Sequence, residues 1–289
     1  MEPIFEKIDQ CILCESTDLA VFCQQNRFTQ CLSCGLVFDN PRPTFDSIVN
    51  YYSKESQYDH WLQQESGRQS LFKRRLKRVR KFAKSGQLLD VGAGIGEFLH
   101  YAKDHFTVTG TEISSSAIEH AKKLYSIDLI QGTLEQVKFE THFDVITMFH
   151  VLEHVPFPGK TIELSLRLLK PRGILVIAVP NDIDCFSSWK NRVLRKKGIK
   201  KYDAFGEAGL QALNIDMPEI HLSHFRLHTL LAHFQKYGIT VLDSGLDPYF
   251  ADSGMLKVKS YIRYFRNIIF FKLAKKNIYD TLWITVRKP

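Results

Sequence analysis

The chain has 289 residues, 44% hydrophobic and 24% charged, which are ordinary values for a core-forming protein; they exclude global disorder, a collagen-like fibre and a multi-span membrane protein. The formal net charge of +8 is segregated: residues 66–84, 186–201 and 255–277 carry nine, seven and seven Lys/Arg with no acid, leaving 16 basic against 31 acidic residues elsewhere. A uniformly basic nucleic-acid coat is thereby excluded, while a local anionic partner stays open.

In chain order, residues 1–43 hold two cysteine knuckles, Cys11-x2-Cys14 and Cys31-x2-Cys34, separated by 16 residues. That spacing matches the four-cysteine zinc pattern, in which a two-residue spacer lets both sulfurs of a knuckle reach one tetrahedral ion. Four thiolates fill the coordination sphere, so a bound Zn²⁺ has a structural role; a redox C-x-x-C pair is the competing reading. The N-terminal MEPIFEKIDQCILCE has charges and cysteines where a secretory signal needs an apolar run. No apolar stretch approaches the length of a membrane span. The expectation is a cytoplasmic protein with no transmembrane segment.

Asn40-Pro41-Arg42-Pro43 marks a boundary, because neither proline suits a helix interior. Residues 44–86 read as a lead-in, aromatic at first (Phe45, Tyr51, Tyr52, Tyr58, Trp61) and then a basic helix with Leu71, Phe72, Leu76, Val79 and Phe82 at helical spacing. From residue 87, apolar runs at 88–91, 106–111, 128–131, 143–148 and 174–179 alternate with helical segments at 96–104, 115–125 and 159–169. Repeated strand–helix units predict an α/β, doubly wound parallel sheet covered on both faces. A polar and basic insertion over 182–224 interrupts the rhythm. The pattern then predicts a helix at 226–237, a strand near 239–243, a basic helix over 255–276 and a final strand at 280–287.

The segment Asp90-Val91-Gly92-Ala93-Gly94-Ile95-Gly96 joins a strand to a helix start. Its G-x-G-x-G spacing differs from the dinucleotide fingerprint. Asp90 precedes the loop and Glu112 follows 20 residues after Gly92, at the end of the next strand. A carboxylate there can accept both hydroxyls of a ribose, and acidic surroundings suit a cofactor that is positively charged and lacks phosphate.

These residues resemble the class I S-adenosylmethionine-dependent methyltransferases. The resemblance covers 87–181 closely and adds three motifs: Gln131-Gly132-Thr133-Leu134-Glu135, Phe143 to His154, and Leu168 to Ile174. It implies a Rossmann-like seven-stranded sheet with an antiparallel last strand, in a methyltransferase domain spanning 87–289. By the same resemblance Asp90, Gly92, Ala93, Gly94 and Gly96 hold the methionine part of S-adenosylmethionine and Glu112 the ribose. Ile113, Thr133 and Leu134 flank the adenine, and Met148 and Phe149 lie at the fourth strand. The C-G-L-V-F-x-N-P-R-P ending of the cysteine module and His221-Leu222-Ser223-His224-Phe225 are similar to a bacterial branch with an N-terminal zinc ribbon. That branch points to a small-molecule acceptor, such as a sugar or sugar nucleotide of surface-polysaccharide metabolism.

Methyl transfer is an in-line displacement in which positioning supplies most of the catalysis, with a base required for a hydroxyl acceptor. His154, with Glu153 beside it, is the candidate base; the alternative is that the pair orders the loop. Relatives with E-x-x-E-H here bind a divalent ion, so His150, Glu153 and His154, with His221 or His224, form a candidate second metal set. The basic segments leave two further expectations open: RNA as the acceptor, and peripheral membrane contact through 255–277. A bland solvated helix over a core-facing stripe is the alternative for that last segment. A catalytically inactive cofactor-binding protein is the remaining functional class.

Overall fold

The computed structural model describes residues 4–23, 28–52, 65–197, 221–250 and 254–289. The expected aromatic wall (Tyr51, Tyr52, Tyr58, Trp61) and residues 198–220 of the insertion lie outside the residues whose side chains are described.

Short strands β1 (Phe5–Glu6), β2 (Leu19–Cys23), β3 (Phe28–Cys31), β4 (Val37–Asp39) and β5 (Arg42–Pro43) build the cysteine module, followed by helices α1 (Phe45–Tyr52) and α2 (Glu65–Val79). Next come β6 (Gln87–Val91), α3 (Glu97–Ala102), β7 (Thr107–Glu112), α4 (Ser115–Tyr125), β8 (Ile130–Gln131), β9 (Phe143–Phe149), α5 (Pro158–Leu168) and β10 (Leu169–Pro180). The chain ends with α6 (Phe186–Lys196), β11 (Ser223–His224), α7 (Leu227–Lys236), β12 (Thr240–Gly245), α8 (Gly254–Ala274) and β13 (Thr281–Arg287).

Seven strands form one sheet in the order β8-β7-β6-β9-β10-β13-β12. Pairings from β8 to β10 are parallel, and β13 runs antiparallel to β10 and β12. The period-2 geometry of strands sends neighbouring side chains to opposite faces. Accordingly Leu89, Ile146, Leu175 and Ile177 join one buried cluster, and Leu88, Val145, Val176 and Ala178 join the other. Both faces are covered, as expected for strands that read as continuous apolar runs.

The cysteine module is not a free appendage. Its Ile12, Leu13, Leu36 and Phe38 belong to the same buried cluster as Leu89 and Ile146 of the sheet. β11, far along the chain, pairs antiparallel with β4 and completes a four-stranded sheet β11-β4-β3-β2. The first knuckle sits on the start of α5, where the Gly159 N–H donates to the Ile12 carbonyl at 3.2 Å. A Cβ at Gly159 would lie 2.3 Å from the Leu13 carbonyl oxygen, so only glycine permits this approach.

The arginines of the basic helix α2 are wired inward. Arg68 pairs with Glu97 at 2.9 Å, Arg78 with Asp243 at 2.7 Å, and Arg74 donates to the Pro248 carbonyl at 3.2 Å. Arg75 is buried and grips the buried Asp247 through Nε and Nη2. Four of the nine bases in 66–84 therefore fasten the 243–250 segment and α3, and are not available to a polyanion.

Candidate active site

The carboxyl ends of β6, β7 and β9 open into one cavity of about 610 Å³. Doubly wound sheets place ligands at this edge. Asp90, Gly92, Ala93, Gly94, Glu112, Ile113, Thr133, Leu134, Phe149 and His154 all line it, so four separate motifs converge on one space. Gly96 and Met148 do not. Gly96 instead caps α3 with φ +75° and lies against Ala121 and Ile127. Met148 is fully buried in the sheet, pointing away from the face that its neighbour Phe149 presents to the cavity.

The glycine turn is shaped for close approach. Gly92 has φ +63°, and a Cβ there would meet Val151 Cγ2 at 2.7 Å. Glu112 is buried; its Oε2 accepts the Gly94 N–H at 2.8 Å, and its Oε1 accepts the Ile113 and Ser114 N–H groups at 2.8 and 3.0 Å. Burial raises its pKa, and these three donors oppose that rise. Asp90 accepts the Thr147 hydroxyl at 2.5 Å, and burial lifts its carboxyl to about 7 against that bond and the nearby Arg75. The buried carboxyls of Asp90 and Glu112 at this end of the cavity favour a ligand that brings positive charge and hydroxyl donors there.

A second wall comprises Arg75, His150, His154 and Tyr249. His150 ends β9 with φ +59°, a conformation unusual outside glycine, and its ring lies 4.6 Å from that of Tyr249. Its Nδ1 stands 3.3 Å from Glu153 Oε1 and its Nε2 3.9 Å from Asp247 Oδ2. Burial alone would lower the His150 pKa, but the two carboxylates override it, and the ring holds its proton more firmly than free imidazole. The fully buried Glu153 lies 3.8 Å from His154 Nε2. Burial opposes its ionisation, and the surrounding histidines outweigh that, keeping the carboxylate charged. Neither of its oxygens is in hydrogen-bonding geometry.

The charges continue outward. The His154 ring is 5.0 Å from that of His221, whose Nδ1 is 3.4 Å from Asp182 Oδ2. Asp182 also takes the buried His224 at 3.0 Å, and His224 Nε2 reaches Asp39 of the cysteine module at 3.4 Å. Alternating acids and histidines thus run from Arg75 in the cavity to β4, locking the module over the loop after β9. The H-L-S-H-F element announced two of these histidines. Asp39, Asp182 and Asp247 carried no signal of their own, since their partners are remote in sequence.

Among the described residues, two sets of side chains could hold metal. The four cysteine sulfurs lie within 4.8 Å of one another, with Cys11–Cys34 and Cys14–Cys31 at 3.6 Å. A tetrahedral Zn–S₄ centre with bonds near 2.3 Å needs sulfurs about 3.8 Å apart, so the residues fit the ion. Glu153, His154 and His221 also bring ligand atoms within 4.8 Å; the expected His150 and His224 are not in this set.

Residues 58–244, more than half of the chain, match the family Methyltransf_23, described as a methyltransferase domain. The chain belongs to this family, and its sheet has the class I S-adenosylmethionine-dependent methyltransferase fold. The chain is 38% identical over 107 residues to a ubiquinone biosynthesis O-methyltransferase of Actinobacillus pleuropneumoniae, covering 33% of this chain and 46% of that protein. It thus spans about half the length of the curated relatives it matches. Among solved structures it is similar in fold to a methyltransferase of Thermotoga maritima described as a possible histamine N-methyltransferase, with TM-score 0.52, 16% identity, and coverage of 84% of this chain and 100% of the other. Magnesium protoporphyrin IX methyltransferase of Synechocystis PCC 6803, solved with S-adenosylmethionine bound, gives TM-score 0.50 and 12% identity over 84% of this chain and 95% of the other.

Proposed function

We propose that the chain transfers a methyl group from S-adenosylmethionine to a hydroxyl of a small-molecule acceptor. The observation that carries this reading is the convergence of Asp90, the glycine turn, Glu112, the Thr133-Leu134 loop and His154 on one cavity. Its volume of about 610 Å³ lies within the usual range of small-molecule sites. The curated relatives are named as O-methyltransferases, which favours an oxygen acceptor. A sugar or sugar nucleotide is the acceptor class we favour. Inward use of the α2 arginines argues against the RNA alternative, and the intact Asp90 and Glu112 against an inactive protein.

When bound, S-adenosylmethionine supplies an electrophilic methyl on a sulfonium. Glu112 would hold the ribose hydroxyls, and the backbone of Gly92 to Gly94 the methionine end. His154 takes the acceptor's proton at a ring nitrogen as the oxygen becomes a nucleophile. His150 suits this role less, because its two carboxylate neighbours raise its pKa and favour the protonated ring. Glu153 is a positioning residue: its buried carboxylate stabilises the imidazolium that His154 becomes. Residues 1–43 serve as a structural zinc module that buttresses the 150–157 loop. Arg42 of the module donates from Nε to Glu6 at 2.9 Å and from Nη1 to the Pro156 carbonyl of that loop.

Replacing His154 with Ala should lower turnover about a hundredfold or more while leaving cofactor affinity within about threefold. Unchanged turnover rejects it as the base. A second reading follows from the clustering of Glu153, His154 and His221, which could hold a divalent ion with His154 as ligand. Full turnover after chelator dialysis that leaves the cysteine-bound zinc in place would reject that reading.

A further inference from the structure

Helix α8 turns its apolar stripe outward. Met255, Val258, Ile262, Phe265, Ile269 and Leu273 are all exposed, Ile262 by 64% and Leu273 by 81%. At 3.6 residues per turn these six fall within roughly 80° of arc. The inward side is instead the mixed set Tyr261, Tyr264, Asn267, Ile268 and Phe271, with Tyr264 and Tyr261 against Phe250. The outward face of α8 is therefore apolar rather than polar, while Ile268 and Phe271 still lie on the inward side.

Bases border the stripe. Lys259 and Arg266 lie along one margin and Lys272 along the other, Arg263 being paired with Asp280, and no acid occurs anywhere in 254–276. Helix α2 packs beside α8 through the Lys257–Ser70 hydrogen bond of 3.1 Å. It adds a shallow basic groove lined by Lys73, Lys77, Arg80, Lys81 and Lys84, bases that the inward wiring leaves over.

We propose that α8 is a membrane-surface helix that lays its apolar stripe into the interface of an anionic lipid bilayer. Charge selects this occupant. A second copy of the chain would set the bordering lysines and arginines against their own equivalents, with no acid on the helix to answer them. Nucleic acid would leave six large apolar side chains in water. An anionic bilayer satisfies both, burying the stripe at the acyl boundary while the bases snorkel to the headgroups. Among the described residues no helix is long and apolar enough to cross a membrane, so α8 lies on the surface.

The test is flotation of the full chain with vesicles of phosphatidylcholine alone and with about 30% phosphatidylglycerol added. Binding to the anionic vesicles only is expected, weakening as salt rises. The double variant Ile262→Asp/Phe265→Asp should abolish it. Lys259→Gln/Arg266→Gln, which removes no apolar contact, should weaken it roughly 25-fold, about fivefold per base. Four results overturn the proposal: no vesicle binding, binding that neither double variant alters, dimers dispersed by Ile262→Asp/Phe265→Asp, or capture of a single-stranded oligonucleotide in place of vesicles.

Discussion

Arg75 and Asp247 form a buried ion pair, 2% and 0% exposed, linking α2 to the segment before α8 at the edge of the cavity. Arg75 also lies over the Phe149 ring at 4.6 Å. Replacing Arg75 with Met keeps most of the volume but leaves the Asp247 carboxylate buried, with His150 as its remaining cationic neighbour among the described residues, at 3.9 Å. Removing one partner of such a pair costs about 3–5 kcal/mol, whereas replacing both with apolar residues of similar size is close to neutral. Arg75→Met should therefore lose about 3–5 kcal/mol in urea unfolding. Arg75→Met/Asp247→Leu should recover most of that loss, giving a coupling energy of at least about 2 kcal/mol. A single variant within about 1 kcal/mol of the parent would refute the claim that this pair fastens α2, as would a double variant no better than the single.

His224 gives a pH-dependent counterpart. Burial lowers its pKa, but Asp182 and Asp39 override this and raise it from 6.5 to about 9. Its contribution is then complete below about 6.5 and is lost as pH rises through about 9; a shift of that size corresponds to about 3 kcal/mol. The stability gap between the parent and His224→Gln should close across that window, and a gap constant with pH would refute the bridge. For the cysteine module, elemental analysis should find one zinc per chain. Because its apolar residues share the sheet's core, stripping the metal or replacing Cys14 with Ser should lower the unfolding midpoint of the whole chain. A metal-free protein with an unchanged midpoint would remove the zinc from the account.

What the sequence made legible was local in the chain. The strand–helix alternation placed the sheet, because strand and helix periods differ over a few residues. Asp90, Gly92, Gly94 and Glu112 line one cavity and lie on one strand–turn–helix–strand unit, and the four cysteines cluster from two C-x-x-C pairs, so both groupings were legible over a short stretch of chain. Long-range pairings were not: Arg75 and Asp247 are 172 positions apart, and His224 and Asp39 are 185 apart. No spacing rule connects such partners, so 66–84 read as a basic helix whose arginine partners were not visible. In 255–276 the apolar periodicity was visible, but periodicity says which residues share a face and not where that face points. Met148 and Phe149 are another such case, since a strand sends their side chains to opposite faces and, of the two, Phe149 lines the cavity.

The proposed function requires this cavity to hold S-adenosylmethionine, with Glu112 as a polar anchor. Calorimetric titration of the full chain with S-adenosylmethionine tests it most directly. One equivalent should bind, and Glu112→Ala should weaken binding about tenfold or more through loss of charge-assisted hydrogen bonds. Absence of binding by the folded parent chain, or affinity unchanged in Glu112→Ala, would contradict it.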